Sequence, residues 1–120
     1  MNNVQLLGRL TTDPQIRYAD NGKCLAQFIL AVDRNKNSEK SQKTDFIPCV
    51  AFDKTAELIG NNVSKGQRLL ITMGALRINQ YKDKQGQNCY HTEVHISSFD
   101  YVEKKYQLPG TTADVPDVEF

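Results

Sequence analysis

At 120 residues the chain has the length of one domain with a single core, and 39% apolar with 24% charged residues excludes a chain disordered throughout. It has no apolar run long enough to span a membrane and no charged-then-apolar leader, which leaves the cytoplasm as the expected location. The net charge of +1 is unevenly placed: residues 106–120 hold Asp114, Asp117 and Glu119 with no Lys or Arg, a tail of −3, while the other 105 residues carry 15 basic and 11 acidic side chains, a body of +4. A mildly basic body with an acidic tail is the charge asymmetry of an anion-binding domain with an interaction tail.

The first segment, NNVQLLGRLTTDP, reads as a strand closed by Asp13-Pro14, with Gly8 in its interior predicting a bulge or bend. An extended piece, Gln15 to Tyr18, leads into Asn21-Gly22, a strong hairpin signal. The strand Lys23 to Val32 follows, with Phe28, Leu30 and Val32 facing one way. RNKNSEKSQK contains no apolar residue and reads as a mobile loop.

In the next strand, Thr44 to Phe52, Phe46, Pro48, Val50 and Phe52 share one face, and Ile47, Cys49 and Ala51 share the other. Such a strand is either buried on both sides or uses one face for a flat ligand; period 2 alone does not say which face is inside. Asp53 is placed to cap a helix across Lys54 to Val63, which Lys65-Gly66 ends. The strand Gln67 to Tyr81 is long and interrupted by Gly74, as expected where a sheet bends to close. Near its end Leu76 and Ile78 point one way, and Arg77, Asn79 and Tyr81 the other. KDKQGQN is a polar hairpin loop, and Asn88 to Phe99 returns as the last strand.

Three strands, a helix between the third and fourth, and two more strands is the order of the OB-fold, whose faces and loops bind oligonucleotides or oligosaccharides. The expected class is therefore all-β with one short helix. It comprises a five-stranded OB-fold barrel over residues 1–105 and a short flexible linker with an acidic C-terminal tip over 106–120. Two Phe on one strand, and a Tyr beside an Arg on another, form a stacking platform with a cation at its edge, which is what a single-stranded nucleic acid needs.

Other chemistry finds no residues. Glu57, Glu93 and Glu103 are scattered, and there is neither a Gly-rich phosphate loop nor a nucleophile beside a base, so an enzyme is not expected. Cys24, Cys49 and Cys89 lie in predicted strands without a ligand spacing and read as buried reduced thiols. His91 and His95 would be metal ligands on a helix; on a strand they stand roughly 13 Å apart, too far to share an ion. No metal and no cofactor is expected.

The stretches LLGRLTTDPQIRYADNG, FILAVDRN, TDFIPCVAFDKTAELIGNNVSKGQ, GALRINQYKDKQGQ and YHTEV, in this order and spacing, resemble the successive motifs of the bacterial single-stranded DNA-binding protein family, over about residues 1 to 104. The resemblance implies an OB-fold that assembles into a homotetramer and coats single-stranded DNA in replication, recombination and repair. It also implies that Phe46, Phe52 and Tyr81 stack bases and that Lys54, Lys65 and Arg77 meet phosphates. Arg34 and Lys36 join them from the loop after the second strand, Lys36 standing where the family tends to carry an aromatic. In the tail, Asp114, Asp117, Glu119 and Phe120 match the family's partner-docking tip, here reduced to DVPDVEF after a short linker, which fits a phage- or mobile-element-encoded member. Two other readings of the same fold are a primosome-type adaptor working through protein contacts and an oligosaccharide-binding domain. Both predict no dependence on the aromatic platform.

Overall fold

The computed structural model describes residues 1–35 and 43–103. Lys36, most of the polar loop before Thr44, and the linker and tip with Asp114, Asp117, Glu119 and Phe120 lie outside the described residues, as does the boundary expected at 105. The elements are β1 (Val4–Leu10), β2 (Gln15–Tyr18), β3 (Cys24–Asp33), β4 (Thr44–Phe52), α1 (Asp53–Asn62), β5 (Arg68–Lys82) and β6 (Asn88–Tyr101).

The strands form one sheet in the order β1-β5-β6-β4-β3-β2, and β1 closes it by pairing Arg9 with Ala31 and Leu10 with Leu30 of β3. Five strands thus make the OB-fold barrel, and β2 adds a short edge to β3. All pairs are antiparallel except β4 with β6, where Cys49, Val50 and Ala51 face Val94, His95 and Ile96. The core holds the inward set of each strand: Ala26, Phe28 and Leu30 of β3, Cys49 and Ala51 of β4, Leu69 and Ile71 of β5, and Val94 and Ile96 of β6. The helix seals the barrel with Ala56 and Ile59, and Val63 just beyond it continues that face, since residues three, four and seven apart share a side.

Three local expectations are corrected. The irregularity of β1 falls between Val4 and Leu6, not at Gly8. Gly8 serves close approach instead, because a Cβ there would sit 2.5 Å from the Ala31 carbonyl oxygen and 2.8 Å from Leu30 Cγ, where the barrel closes. Asp53 does not cap α1: it is the first helical residue, at φ 54°, Phe52 holds the N-cap position, and among the described residues no side chain caps the helix. Asp is among the residues that tolerate the left-handed region, which lets the chain turn directly from β4 into the helix. Gly66 likewise does not end α1, which stops at Asn62; at φ 87° it turns the chain into β5 and donates its N–H to the Leu10 carbonyl. The bend expected at Gly74 is present, with register shifts from Ile71 to Gly74. Beyond it β5 and β6 continue as a two-stranded arm to the turn at Asp83–Gly86. Among the described residues, no helix is long and apolar enough to cross a membrane.

Candidate nucleic-acid interface

The outward face of β4 and its neighbours is a continuous surface. Phe46, Pro48, Val50 and Phe52 lie opposite Ala31, Ile29, Gln27 and Leu25 of β3. On the other side Val50 meets His95 of β6, and from there β5 follows, with Ala75 opposite His95, Arg77 opposite Glu93, Asn79 opposite His91 and Tyr81 opposite Cys89. Residues directly opposite in a ladder share a face. Phe46, Phe52, Arg77 and Tyr81, widely separated in sequence, therefore look out from one side of the barrel. Their exposures of 65% (Phe46), 42% (Phe52) and 53% (Tyr81) place the aromatics outside the core. Phe46 and Phe52 stand roughly 20 Å apart along β4 at ~3.3 Å per residue.

The cations are less uniformly placed. Arg77 is central to this face. Lys54 is exposed on the first turn of α1, two residues after Phe52. Lys65 is exposed in the turn beyond the helix, where its backbone N–H donates to the Asp13 carboxylate at 2.7 Å. Among the described residues none of these three makes an ion pair. Arg34 does: its Nε and Nη2 donate to the two carboxylate oxygens of Asp45 at 2.9–3.2 Å, and Asp45 alternates to the other side of β4 from Phe46. That hydrogen bonding holds the Asp45 carboxyl below the usual carboxylate range and raises Arg34. The Arg34 N–H also donates to the Lys43 carbonyl, so the ends of the intervening loop are tied together.

The middle of the face carries a cluster whose members stand in the sequence only as separate residues. His91, Glu93 and His95 alternate outward along β6; His91 Nε2 lies 3.1 Å from Glu93 Oε1, and His95 Nε2 lies 2.7 Å from Glu93 Oε2. The separation expected along the strand is bridged by the carboxylate between them, and period 2 in HTEVH was the signal available. Among the described residues no three His, Cys, Asp or Glu side chains are grouped to hold a metal. His91 and Glu93, with Gln27, Ile29, Pro48 and Val50, line a groove of about 340 Å³.

The three cysteines are free. Cys24 and Cys49 are buried, and burial pushes the Cys49 thiol up to about 12. Cys24 is also raised, by burial first and then by Glu57 and Asp53. Cys89, expected inside, is only half-buried because it lies on the arm beyond the core.

The profile of the family described as "Single-strand binding protein family" matches residues 1–102. Among curated proteins, "Single-stranded DNA-binding protein 1" of Streptococcus pyogenes is 43% identical over 114 residues, 94% of this chain and 87% of that one. The "Single-stranded DNA-binding protein" of Clostridium perfringens is 41% identical over 104 residues, 86% of this chain and 67% of that one. Among solved structures, the chain is similar to "Plasmodium falciparum SSB complex with ssDNA", with a TM-score of 0.77 and 25% identity over 86% of this chain and 96% of that one.

Proposed function

The chain belongs to the single-strand binding protein family, and we propose that it binds and protects single-stranded DNA without regard to sequence. The observation that carries this reading is the shared outward face of Phe46, Phe52, Arg77 and Tyr81. Every base has a π-face, so stacking on exposed rings is indifferent to sequence, and cations beside the rings meet the phosphates. Lys54 and Lys65, free of ion pairs among the described residues, extend the positive charge toward the ends of α1. Arg34 contributes only as far as the strand can draw it from Asp45.

The setting is DNA replication, recombination and repair in the cytoplasm of a bacterium; the relatives, single-stranded DNA-binding proteins of Streptococcus pyogenes and Clostridium perfringens, support the bacterial part of this reading. The protein works as a homotetramer. Supporting self-association, β1 pairs with β3 only at Arg9 and Leu10, leaving the outer edge of its first residues unpaired among the described strands. The reverse face of the arm exposes Leu76, Ile78 and Tyr90. Unpaired edges and exposed apolar patches are what soluble chains cover by assembly. Asp114, Asp117, Glu119 and Phe120 serve as a docking segment for partner proteins, the acids keeping it in water and the ring entering an apolar pocket.

The test is a titration of labelled oligo(dT) and of duplex DNA at two salt concentrations. Binding should favour the single strand and weaken with salt, with a log–log slope of about −0.7 per phosphate neutralised. Equal affinity for duplex, or salt-insensitive binding, would reject the reading.

A further inference from the structure

We propose that His91, Glu93 and His95 form a phosphate subsite in the middle of the binding face, and that a bound strand draws a proton onto it. The inference rests on the single-strand reading above. A carboxylate oxygen only accepts hydrogen bonds, so each imidazole presents its Nε2–H to Glu93, at 3.1 Å and 2.7 Å. Both tautomers are thereby set, and each Nδ1 is an acceptor while its ring is neutral. An acceptor cannot meet a phosphate oxygen. On protonation the same Nδ1 becomes a charged donor, and the ring keeps its bond to Glu93.

The charges around the cluster make that proton count. Across the ladder from Glu93 stands Arg77, so with both imidazoles neutral the carboxylate and guanidinium cancel. From β4 the facing residues are Pro48, Val50 and Phe52, none of them charged. Across the groove stand Thr12, Gln15 and Gln27, also uncharged. On the helix side Asp53 and Lys54 follow Phe52 and offset each other. Toward the arm tip Cys89 and Tyr81 close the row. Each proton gained therefore appears as net positive charge on this face, under the path between Phe52 and Tyr81. An imidazole changes charge between about pH 5 and 8, within reach of ordinary conditions. His91 is half-exposed and reaches the strand directly; His95 is more covered and touches the Phe52 ring.

A phosphate at the subsite favours the imidazolium, so the bound-state pKa lies above that of the free protein. Affinity gained this way is present at low pH and lost as pH rises through the bound-state value. The experiment is an anisotropy titration of oligo(dT), whose thymines do not titrate in this range, at pH 6.0 and pH 8.0 and fixed ionic strength. It compares the full chain, H91Q and H91Q/H95Q. A parallel calorimetric titration at pH 7, in two buffers of different ionisation heat, counts protons taken up.

The unsubstituted protein should bind about three- to tenfold more tightly at pH 6.0 than at pH 8.0, tenfold corresponding to a pKa raised by one unit. It should also take up a measurable fraction of a proton. The ratio should fall in H91Q and drop below about twofold in H91Q/H95Q, with proton uptake abolished. Should the double variant not fold, H91Q alone, altering a half-exposed side chain, decides the matter by its ratio. A pH-independent unsubstituted protein, or a ratio retained in the variants, overturns the subsite while leaving single-strand binding intact. Loss of oligo(dT) binding at both pH values overturns both.

Discussion

The Phe52 ring meets the His95 imidazole edge-to-face, with ring centroids 5.2 Å apart and planes inclined at 61°. The contact joins β4 to β6 on the outward face, beside the pairing of Val50 with His95. It holds Phe52 by one neighbour while much of the ring stays open to solvent. A ring so placed is oriented before any strand arrives, which reduces the ordering cost of binding.

Phe52→Ala should weaken oligo(dT) binding about 5- to 150-fold, the equivalent of ~1–3 kcal/mol per stacked base, with the thermal midpoint little changed. Phe46→Ala, further along β4, should behave alike. If either substitution unfolds the chain while binding per folded molecule is unchanged, the ring belongs to the core.

Asp45→Asn releases Arg34 from its bidentate partner and removes a negative charge at the residue preceding Phe46. Oligo(dT) affinity should rise severalfold at low salt, and the gain should shrink near 0.1 M, where exposed charges more than ~10 Å apart are screened. Acid should act in the same direction. The Asp45 carboxyl sits below its usual range through the Arg34 hydrogen bond, so the pair's stabilising effect is present above that range and disappears as pH falls through the folded-state value. An affinity unchanged by the substitution at low salt would place Arg34 off the path of the strand.

Thiol reactivity should be graded. A disulfide reagent at pH 8 should modify Cys89 first in the native protein, because the thiolate is the nucleophile and Cys89 is the one of the three thiols that is not buried. Cys49, pushed up to about 12 by burial, and the buried Cys24 should react only after denaturant is added. Three thiols modified together in the native state would show that the barrel opens readily.

Two Gly→Ala substitutions should part company. At Gly8 the new methyl meets the Ala31 backbone at 2.5 Å, with no flexible group to yield, so Gly8→Ala should lose about 1–3 kcal/mol in denaturant melts. At Gly60, inside α1, the methyl meets the far end of the Ile16 side chain, which can move, and a helix favours Ala over Gly by about 1 kcal/mol. Gly60→Ala should be neutral or stabilising. Equal losses at both sites would refute the assignment of Gly8 to barrel closure.

Light scattering at micromolar concentration should give the mass of four 13.6 kDa chains. Ile78→Lys, on the reverse face of the arm, should lower that mass if the apolar residues there are covered by another copy. A mass of one chain for the unsubstituted protein contradicts the assembly.

Side-chain alternation is a local property, and it was legible. It grouped Phe46 with Pro48, Val50 and Phe52, and it put Arg77, Asn79 and Tyr81 on one side of their strand, because a strand repeats every two residues whatever surrounds it. Turn chemistry was equally local: Asn21-Gly22 and Gly74 mark a turn and a bend where the structure has them, with Gly22 at φ 86°. Which face lies inside is not local. That depends on what covers it, and α1 with the inward residues of β3, β5 and β6 covers the Cys49 and Ala51 side, leaving the phenylalanines out. That Arg77 and Tyr81 share a face with Phe52 also needed the parallel pairing of β4 with β6, a contact between segments some 45 residues apart that no periodicity announces. The same long-range register separated the cations. It left Arg77 on the face, held the Lys65 backbone N–H on Asp13 beyond the helix and brought Arg34 against Asp45. The histidines show the division within one strand: their common face follows from period 2, but only side-chain geometry joined both rings through the carboxylate of Glu93.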